Sequence, residues 1–403
     1  MSLAIPVRPI VSALRRHKAA AILLALEIAL TLAIIGNLVF VVSGNLQRAR
    51  TPTGVMENDI GLIQSIGVID EDNPGNVANN IALLRQVPGV VDAAYGGPPL
   101  WYASASHVFA DPGRQHKVAQ AYEFVGGQGL ASTLGVRVVQ GRGITLDDRG
   151  DPAKWGQDIQ VGGLITRALA DRLFPGRSPL GQLFYDGTMT IRVVGVMDHL
   201  RGEITGRPGD DDALVLEYQL GAQDMGGGFM IRSQPGQLGP VLQAAAAALQ
   251  KANPGHVQSQ VLGMPALRQQ YFAADMATNR MLIAIMAILL VVTALGVGGL
   301  GSFWVQQRRR QIGMRRALGA TRGDILRYFQ AENFLIVTAG VVLGVLLAYA
   351  LNLFLMQRFE LARLPFGYLV FGALTLWLLG QLAVLGPALR AAAVPPVVAT
   401  RSV

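Results

Sequence analysis

The chain has 403 residues, of which 51% are hydrophobic and only 15% are charged. These proportions leave too few charged residues to coat a soluble protein of this size, and they favour a membrane protein. The net charge of +8 arises from basic clusters that flank apolar runs, which disfavours a nucleic-acid-binding domain. The chain contains no cysteine, which excludes disulfide bonds and thiolate metal sites.

The first long apolar run, AAAILLALEIALTLAIIGNLVFVV, begins at Ala19 and contains one charged residue, Glu27. A helix needs about 20 apolar residues to cross a bilayer, so we predict a transmembrane helix over residues 19–43 after a cytoplasmic segment, 1–18. The alternative is a cleaved signal peptide, because basic residues precede the run. The run is longer than a signal-peptide core, however, and no A-x-A cleavage site closes it.

Residues 44–279 are too numerous for a loop and predict a large folded domain. Val-rich stretches at Ile191–Met197 and Ala213–Tyr218 predict strands, while NVANNIALLRQV, TRALADRLF and LGPVLQAAAAALQKA show helical periodicity. A mixed α+β domain is therefore expected. The run Asp210–Asp212 follows Pro-Gly and is interpreted as a solvated turn, with a metal site as the alternative.

The C-terminal part of the chain contains three more apolar runs, each long enough to cross a membrane. The predicted segments are transmembrane helices 280–305, 333–356 and 368–389, an arginine-rich connection 306–332, a short periplasmic loop 357–367 and a tail 390–403. Because basic residues flank the first helix and occupy the connection and the tail, the positive-inside rule places all three in the cytoplasm. Both termini are then cytoplasmic, and the large domain is periplasmic in a bacterial inner membrane.

These segments predict the fold class, an integral membrane α-helical protein. It has four transmembrane helices, arranged one plus three, and a large inserted α+β periplasmic domain.

Small residues recur at four-residue spacing in the first and third predicted transmembrane helices. They are Ala21, Ala25, Ala29 and Ala33 in the first, and Gly340, Gly344 and Ala348 in the third. This spacing predicts close approach of helices. The second transmembrane helix ends in GVGGLGSFW, whose glycines suit either a hinge or close packing. Glu27 is expected to face a neighbouring helix or to be protonated.

Motifs for common catalytic and cofactor sites are missing from the sequence. The five histidines show no metal-ligand spacing, and no lysine completes a G-x-x-x-x-G-K-[ST] phosphate loop. A G-x-S-x-G nucleophile elbow is also lacking. We therefore expect a non-catalytic protein with no cofactor or metal, whose energy comes from another protein.

The arginine-rich stretch RRRQIGMRRALGATRGDILRYF, residues 308–329, predicts a helix, a tight turn and a second helix. Gly319 is the predicted helix stop, and Thr321 with Asp324 forms a predicted capping box. The second helix carries an apolar stripe that includes Ile325 and Phe329, which we expect to lie on the membrane surface before the chain re-enters at residue 334. The alternative is an irregular loop whose arginines only set orientation.

This stretch resembles the signature of MacB/FtsX-type ABC-transporter permeases, in which arginines precede I-G-x-R-[RK]-A-[LI]-G-A-[TS]. Every fixed position of that signature matches between Ile312 and Thr321. The segments LGVRVVQGRGIT, ITRALADRLFPGRSPLGQ and IRVVGVMDHLRG resemble the periplasmic core domain of the same family. The resemblance covers nearly the whole chain and includes the one-plus-three arrangement of transmembrane helices. It does not include the fused ATPase domain that some members carry.

The resemblance implies that residues 306–332 couple the permease to a separate ATPase of the MacB/LolD type, present in two copies. The residues implied in this coupling are Arg308, Arg309, Arg310, Ile312, Gly313, Arg315, Arg316, Leu318, Gly319, Ala320, Thr321 and Ile325. The other implied partners are the lipid membrane and a second permease, as a homodimer or a heterodimer, with or without a periplasmic adaptor. No nucleic acid is implied.

The implied function is that of a permease subunit which passes ATP-driven motion to a periplasmic domain for export of a peptide, antibiotic or lipid. One alternative is a lipoprotein-releasing permease of the LolC/LolE kind. Another is an FtsX-like signal transmitter that activates a periplasmic enzyme without transport. The large external domain argues against the second alternative, because FtsX-like members carry a smaller one.

Overall fold

The structure is a computed structural model that describes residues 18–66, 75–101, 104–151, 159–187, 189–219, 228–359 and 363–393. The chain divides into two compact units. The helical unit is Met1–Asn45 with Asp275–Val403, and the inserted unit is Leu46–Ala274. The predicted cytoplasmic segment before Lys18 and most of the predicted tail, from residue 394 onward, lie outside the described residues.

Helices and strands are numbered here in chain order. The helices are α1 (Lys18–Arg50), α2 (Gly75–Arg85), α3 (Leu130–Leu134), α4 (Arg167–Leu173), α5 (Leu238–Ala252), α6 (Met264–Tyr271), α7 (Ala273–Gln307), α8 (Arg309–Ala317), α9 (Arg322–Phe359) and α10 (Phe366–Ala392). The strands are β1 (Ile60–Ile66), β2 (Val90–Gly96), β3 (Ser104–Phe109), β4 (Lys117–Gly126), β5 (Val138–Gly141), β6 (Gln160–Thr166), β7 (Leu183–Asp186), β8 (Met189–Met197), β9 (Ala213–Glu217), β10 (Gly228–Ser233) and β11 (Val257–Gly263).

Four helices of the described chain, α1, α7, α9 and α10, are long and apolar enough to cross a membrane. Each of the four predicted apolar runs lies inside one of them. The strands predicted near residues 191 and 213 are β8 and β9, and the three predicted helical patterns are α2, α4 and α5, so these predictions are confirmed.

The predicted close approach of helices is confirmed between α1 and α9. A Cβ atom built on Gly340 would lie 2.8 Å from the carbonyl oxygen of Ala25. A Cβ atom on Gly344 would lie 2.9 Å from the carbonyl oxygen of Ala29. These distances leave no room for a side chain, so the two helix backbones touch through their small residues.

Two of the glycines near the end of α7, Gly296 and Gly301, also lie at helix contacts, and α7 runs through them without a break. A Cβ atom on Gly296 would lie 2.5 Å from the Oε2 atom of Glu27, and one on Gly301 would lie 3.1 Å from Val384. The structure therefore favours close packing over a hinge at these positions. Glu27 faces a neighbouring helix, which was one of its two predicted environments.

Polar side chains inside the helical unit pair with one another or with backbone carbonyls. Thr31 and Thr293 share a buried hydrogen bond of 2.9 Å between α1 and α7. The amide of Asn37 donates to the carbonyl of Ala348 on α9 at 3.2 Å. In an apolar surrounding an unpaired polar group is costly, so these bonds fix which helix faces meet.

One sequence prediction about this unit is wrong. The helix expected to lie on the membrane surface and the third transmembrane helix are one continuous helix, α9. Ile325 and Phe329 are buried in a cluster with α10 residues, so their apolar stripe faces protein. The charge at Glu332 does not force a break, because an arginine of the same unit neutralises it.

The inserted unit contains two sheets, of which the smaller has four antiparallel strands in the order β11-β1-β10-β2. Helix α2 connects β1 to β2, and α5 connects β10 to β11. This is the split β-α-β arrangement, and the rest of the unit is an insertion between β2 and β10. Helices α2 and α5 pack on this sheet through one apolar cluster.

The larger sheet has the strand order β5-β8-β6-β9-β4-β3-β7, and β7 also pairs with β8. The ring of paired strands is β8-β6-β9-β4-β3-β7, and β7 pairs again with β8. These six strands form a closed sheet, so none of them has an exposed edge. All six contribute to a single buried apolar cluster, together with α4. A second cluster, which includes Ile60, Phe124 and Val215, packs this sheet against the smaller one.

The acidic run at Asp210–Asp212 is a structural turn. The Asp210 carboxylate accepts hydrogen bonds from the backbone of residues 205 and 206. Asp211 bonds His199, and the buried carboxylate of Asp212 pairs with Arg172 at 2.9 Å. Each carboxylate has its own partner, and the described residues contain no group of three or more potential metal ligands.

Inside the closed sheet, the carboxyl groups of Glu123 on β4 and Asp186 on β7 are neighbours that share a hydrogen bond. Burial, this hydrogen bond and the charge of Asp186 raise the pKa of Glu123 from 4.5 to about 8. The folded state therefore holds a proton near neutral pH that the unfolded chain releases.

A first prediction concerns the α1–α9 contact. Gly344→Ala should destabilise the protein by about 1 to 3 kcal/mol, because the added methyl group meets backbone atoms that cannot move aside. Thermal unfolding in detergent measures the effect. Gly299→Ala is the matched control, since no described atom lies within 4 Å of a Cβ atom there and alanine is the better helix former. Equal unfolding temperatures for the two variants would contradict the contact.

A second prediction follows from Glu123. Between pH 4.5 and about 8 the folded state binds the extra proton, so its stability should fall as the pH rises through this window. Glu123→Gln cannot titrate and should show a flatter dependence. Unfolding temperatures of both proteins at several pH values provide the measurement. Parallel curves for wild type and variant would show that Glu123 does not carry the proton.

Candidate functional site

The candidate site is the hairpin of α8 and the start of α9, residues 308–329. Helix α7 ends at Gln307, Arg308 departs from helical geometry, and α8 begins at the next residue. At the other end of α8, the Ala320 N–H donates to the Arg315 carbonyl and the Gly319 N–H to the Arg316 carbonyl. These two bonds define a Schellman motif. Gly319 has a φ of 99°, which confirms the predicted glycine stop.

The predicted capping box at the start of α9 is also confirmed. The Asp324 N–H donates to the Thr321 hydroxyl at 3.2 Å, and the Thr321 N–H donates to the Asp324 carboxylate at 3.0 Å. Together these bonds satisfy two backbone donors at the helix end. The turn between the two helices is thus fixed from both sides, and the segment has a defined shape.

One face of the hairpin is buried against the C-terminal end of α10. Ile312 on α8 packs with Ile325 and Phe329 on α9, and the same cluster includes Ala388 and Ala391. An arginine strengthens this contact, because the Arg316 guanidinium donates to the Ala392 carbonyl at 2.9 Å. The face of the hairpin that contacts α10 is therefore part of the packed interior of the helical unit.

A buried ion pair lies where α7 gives way to α8. The Arg308 Nη1 atom is 2.9 and 2.8 Å from the two carboxylate oxygens of Glu332 on α9. Arg308 is only 8% exposed and Glu332 only 1%. The guanidinium also lies 5.9 Å from the ring centroid of Trp304, at a distance where cation–π attraction acts. This pair joins the end of α7 to α9 at the base of the hairpin.

The opposite face of the hairpin is exposed and combines apolar and basic side chains. Leu318, at the tip, is 88% exposed, and Met314, one turn earlier on α8, is 55% exposed. Arg309 and Arg310 are exposed at the start of α8. Arg315 lies over the ring of Tyr328 at 4.7 Å, which orients its guanidinium. A large apolar side chain at a rigid, exposed tip is typical of a surface that binds another protein.

The sequence-predicted coupling residues thus fall into three groups. The buried members are Arg308, Ile312, Gly313 and Ile325, the half-buried members are Arg316 and Ala320, and the exposed members are Arg309, Arg310, Arg315, Leu318, Gly319 and Thr321. Only the last group is fully exposed on the surface of the chain.

Two residues that shape the hairpin surface and its base were missed from the sequence. Met314 shares the exposed face with Leu318, and its i, i+4 spacing from that residue was the available signal. Glu332 neutralises Arg308, but no local spacing identifies a partner 24 residues away.

The ion pair generates a third prediction. Glu332→Ala should destabilise the helical unit by about 3 to 5 kcal/mol, because it leaves the Arg308 guanidinium buried without a counter-charge. The double variant Arg308→Met, Glu332→Met removes both charges and should recover most of the loss. Thermal unfolding in detergent compares the two. A double variant less stable than Glu332→Ala would contradict the buried pairing.

The C-terminal part of the chain matches a known protein family. Residues 283–396, which include most of α7 and all of α8, α9 and α10, match the family described as FtsX-like permease C-terminal.

Several curated proteins are similar in sequence over larger parts of the chain. The macrolide export ATP-binding/permease protein MacB of Nitrosomonas europaea is 27% identical over 380 residues, which cover 89% of this chain and 53% of that protein. MacB of Bordetella avium is 29% identical over 245 residues, which cover 57% of this chain and 35% of that protein. The pyoverdine export ATP-binding/permease protein PvdT of Pseudomonas putida is 29% identical over 182 residues, which cover 44% of this chain and 28% of that protein. The chain thus spans about half the length of these relatives or less.

Two solved structures resemble the chain. The extracellular domain of the noncanonic ABC-type transporter YknZ from Gram-positive bacteria aligns with a TM-score of 0.34 and 18% identity, covering 51% of this chain and all of that domain. The periplasmic region of MacB from Actinobacillus actinomycetemcomitans aligns with a TM-score of 0.36 and 12% identity, covering 56% of this chain and 97% of that region.

Proposed function

Because this chain carries an FtsX-like permease domain and has MacB homologues, we propose that it is the membrane permease subunit of an ABC exporter driven by a separate ATPase. The observation that carries the proposal is the hairpin at residues 308–329. It is rigid, it is packed on one face and it presents an apolar tip among arginines on the other. A separate ATPase chain would bind this exposed face.

The hairpin is suited to transmit force because its two ends are continuous with, or anchored to, long apolar helices. Helix α9 extends from the turn at Thr321 through an apolar run of membrane length. The Arg308–Glu332 pair ties the end of α7 to the same helix. A displacement of the tip by a bound ATPase therefore moves α7 and α9 together.

The proposed orientation places the hairpin in the cytoplasm and residues 44–279 in the periplasm. Its support is the concentration of arginine between the second and third apolar runs. The protein is then a multi-pass protein of a bacterial inner membrane with both termini cytoplasmic.

A second permease copy or a paralogue is the proposed membrane partner. Helix α7 exposes many large apolar side chains in the single chain. Among them are Met281, Ile288, Val291, Val292 and Leu295. This surface is available both to lipid and to a second permease, and two permeases would match two ATPase copies.

The proposed cargo is a peptide, antibiotic or lipid that is exported, with or without a periplasmic adaptor. Support for export comes from relatives named for the export of macrolides and of pyoverdine. Neither compound is assigned to this chain, since those relatives are matched over 53% of their length at most.

A fourth prediction tests the docking face. Leu318→Asp should abolish stimulation of the cognate ATPase, because it puts a charge on the tip that the partner must cover, while Leu318 makes little contact with its own chain. The measurement is co-purification of the ATPase and its rate of hydrolysis in proteoliposomes. Gly319→Val should act in the same direction, since a φ of 99° is strained for valine.

The matched control is Leu146→Asp, which makes the same change at an exposed leucine of the inserted unit. It should leave ATPase binding and hydrolysis as in the wild type. Full binding and stimulation by the Leu318→Asp variant would remove the hairpin from the coupling mechanism and reduce its arginines to an orientation signal.

A further inference from the structure

The inserted unit contains a second region in which separate parts of its chain are tied together, at Arg268 on α6. Its Nε atom donates to Glu57 Oε2 at 2.7 Å, and its Nη2 atom donates to Glu57 Oε1 at 2.5 Å. The same guanidinium donates to the carbonyl of Ala49 at 2.9 Å and to that of Thr51 at 2.9 Å. One side chain therefore binds the last turn of α1, the segment after it and the short helix that contains Glu57.

The position of these contacts in the chain is informative. Ala49 and Thr51 belong to the segment by which the chain enters the inserted unit, and α6 ends just before the chain leaves it at residue 274. Arg268 thus joins the entry segment to the exit segment. The two segments are 217 to 219 residues apart in sequence.

An apolar cluster lies at the same junction. Leu100, Ile204 and Phe272 are buried together, with Ala49 and Tyr271 packed against them. Phe272 is the last residue before α7, and the Arg268 guanidinium lies 5.9 Å from its ring centroid. The cluster therefore contains residues from the entry segment, the exit segment and the body of the inserted unit.

Further polar bonds bring the body of the unit to the entry segment. The Arg201 guanidinium donates to the Pro52 carbonyl at 2.7 Å, and its backbone N–H donates to the Thr53 carbonyl at 2.9 Å. Arg48 donates to the Thr205 carbonyl at 3.2 Å. We call Arg48, Ala49, Glu57, Arg201, Arg268 and Phe272, with the residues they bind, the junction.

The backbone of Leu100 has a φ of 65°, a conformation that a leucine rarely adopts. It is held by a hydrogen bond from its N–H to the Gly202 carbonyl at 2.9 Å and by burial of its side chain. Such strain persists only where surrounding contacts over-determine the conformation. The junction is therefore a rigid part of the inserted unit.

We propose that Arg268 is a positioning residue that locks the entry and exit segments of the inserted unit into one rigid joint, so that force arriving along either α1 or α7 moves the unit as a whole. The purpose assigned to the joint depends on the proposed function, whereas its rigidity can be tested without any ATPase. Without these bonds, the entry segment or the exit segment could bend on its own. The displacement would then not reach the rest of the inserted unit.

The chemistry of the side chain explains why an arginine is needed. The guanidinium carries five N–H donors in a fixed plane and satisfies one carboxylate and two carbonyls at once. Burial raises the pKa of Glu57, but hydrogen bonds from Arg268 and Thr53 outweigh it and hold that pKa below 4.5. The carboxylate is thus charged at neutral pH, and the lock is closed under physiological conditions.

The test uses the full chain, which contains no native cysteine to interfere with labelling. Cysteines replace Gln47 and Gln270, both exposed, and each carries a spin label in lipid nanodiscs. Double electron–electron resonance then measures the distance distribution between the entry and exit segments. The wild type should give one narrow peak. Arg268→Gln should broaden it and add a longer component, and Arg268→Lys should do the same to a smaller extent.

The matched control is Arg85→Gln. Arg85 makes an ion pair with Asp92 and a hydrogen bond to the Ala93 carbonyl within the smaller sheet, so the control removes similar contacts outside the junction. It should leave the peak unchanged. If Arg268→Gln does not fold, Glu57→Gln is the second variant, because it weakens the lock and keeps both carbonyl contacts. An unchanged narrow peak in the folded Arg268 or Glu57 variant would overturn the proposal.

A second measurement separates the joint from the proposed function. With the ATPase present, labels at Val257 in two copies of the chain report movement of the inserted unit on addition of ATP. Arg268→Gln should bind the ATPase normally and lose this movement, and retention of the full movement would overturn the proposed role of the joint. Absence of ATP-dependent movement in the wild type would count against the proposed exporter function. The distance distribution between the entry and exit segments would still decide whether Arg268 locks them.

Discussion

The ion pair between Arg308 and Glu332 sets the geometry on which the candidate docking face depends. Both groups are withdrawn from water, and each would be costly to bury without the other. Their pairing allows α9 to continue as a single helix through a charged position and lets α7 end beside it. Because the pair fixes the base of the hairpin and the Schellman and capping bonds fix its turn, the exposed tip at Leu318 has one defined position.

The features that could be predicted from the sequence are those set by neighbours along the chain. Apolar runs of membrane length, the glycine stop at Gly319 and the capping box at Thr321 each depend on a few consecutive residues, and the structure has all of them. The four-residue spacing of small residues correctly indicated where α1 and α9 touch. The residues predicted to couple to an ATPase come from the same local motif, but the motif does not distinguish exposed from buried positions.

The features that could not be predicted join residues far apart in sequence. Glu332 as the partner of Arg308, the closure of the larger sheet through β7 and β8, and the contact of Arg268 with Ala49 all depend on tertiary packing. The error over α9 has the same origin. The apolar stripe at Ile325 and Phe329 suits either a membrane surface or a protein contact, and only its packing against α10 decides that it faces protein.

Along the chain, helix α7 lies between the junction residues around Arg268 and the Arg308–Glu332 ion pair. Its 35 residues run from Ala273 to Gln307, with Phe272 directly before the first residue and Arg308 directly after the last. The glycines near its C-terminal end would weaken an isolated helix, but Glu27 and Val384 pack against Gly296 and Gly301 and support it there. Helix α7 is thus supported inside the helical unit at the positions where its glycines would otherwise weaken it. In an exporter of the proposed kind, the hairpin would receive the force and the junction would deliver it to the inserted unit.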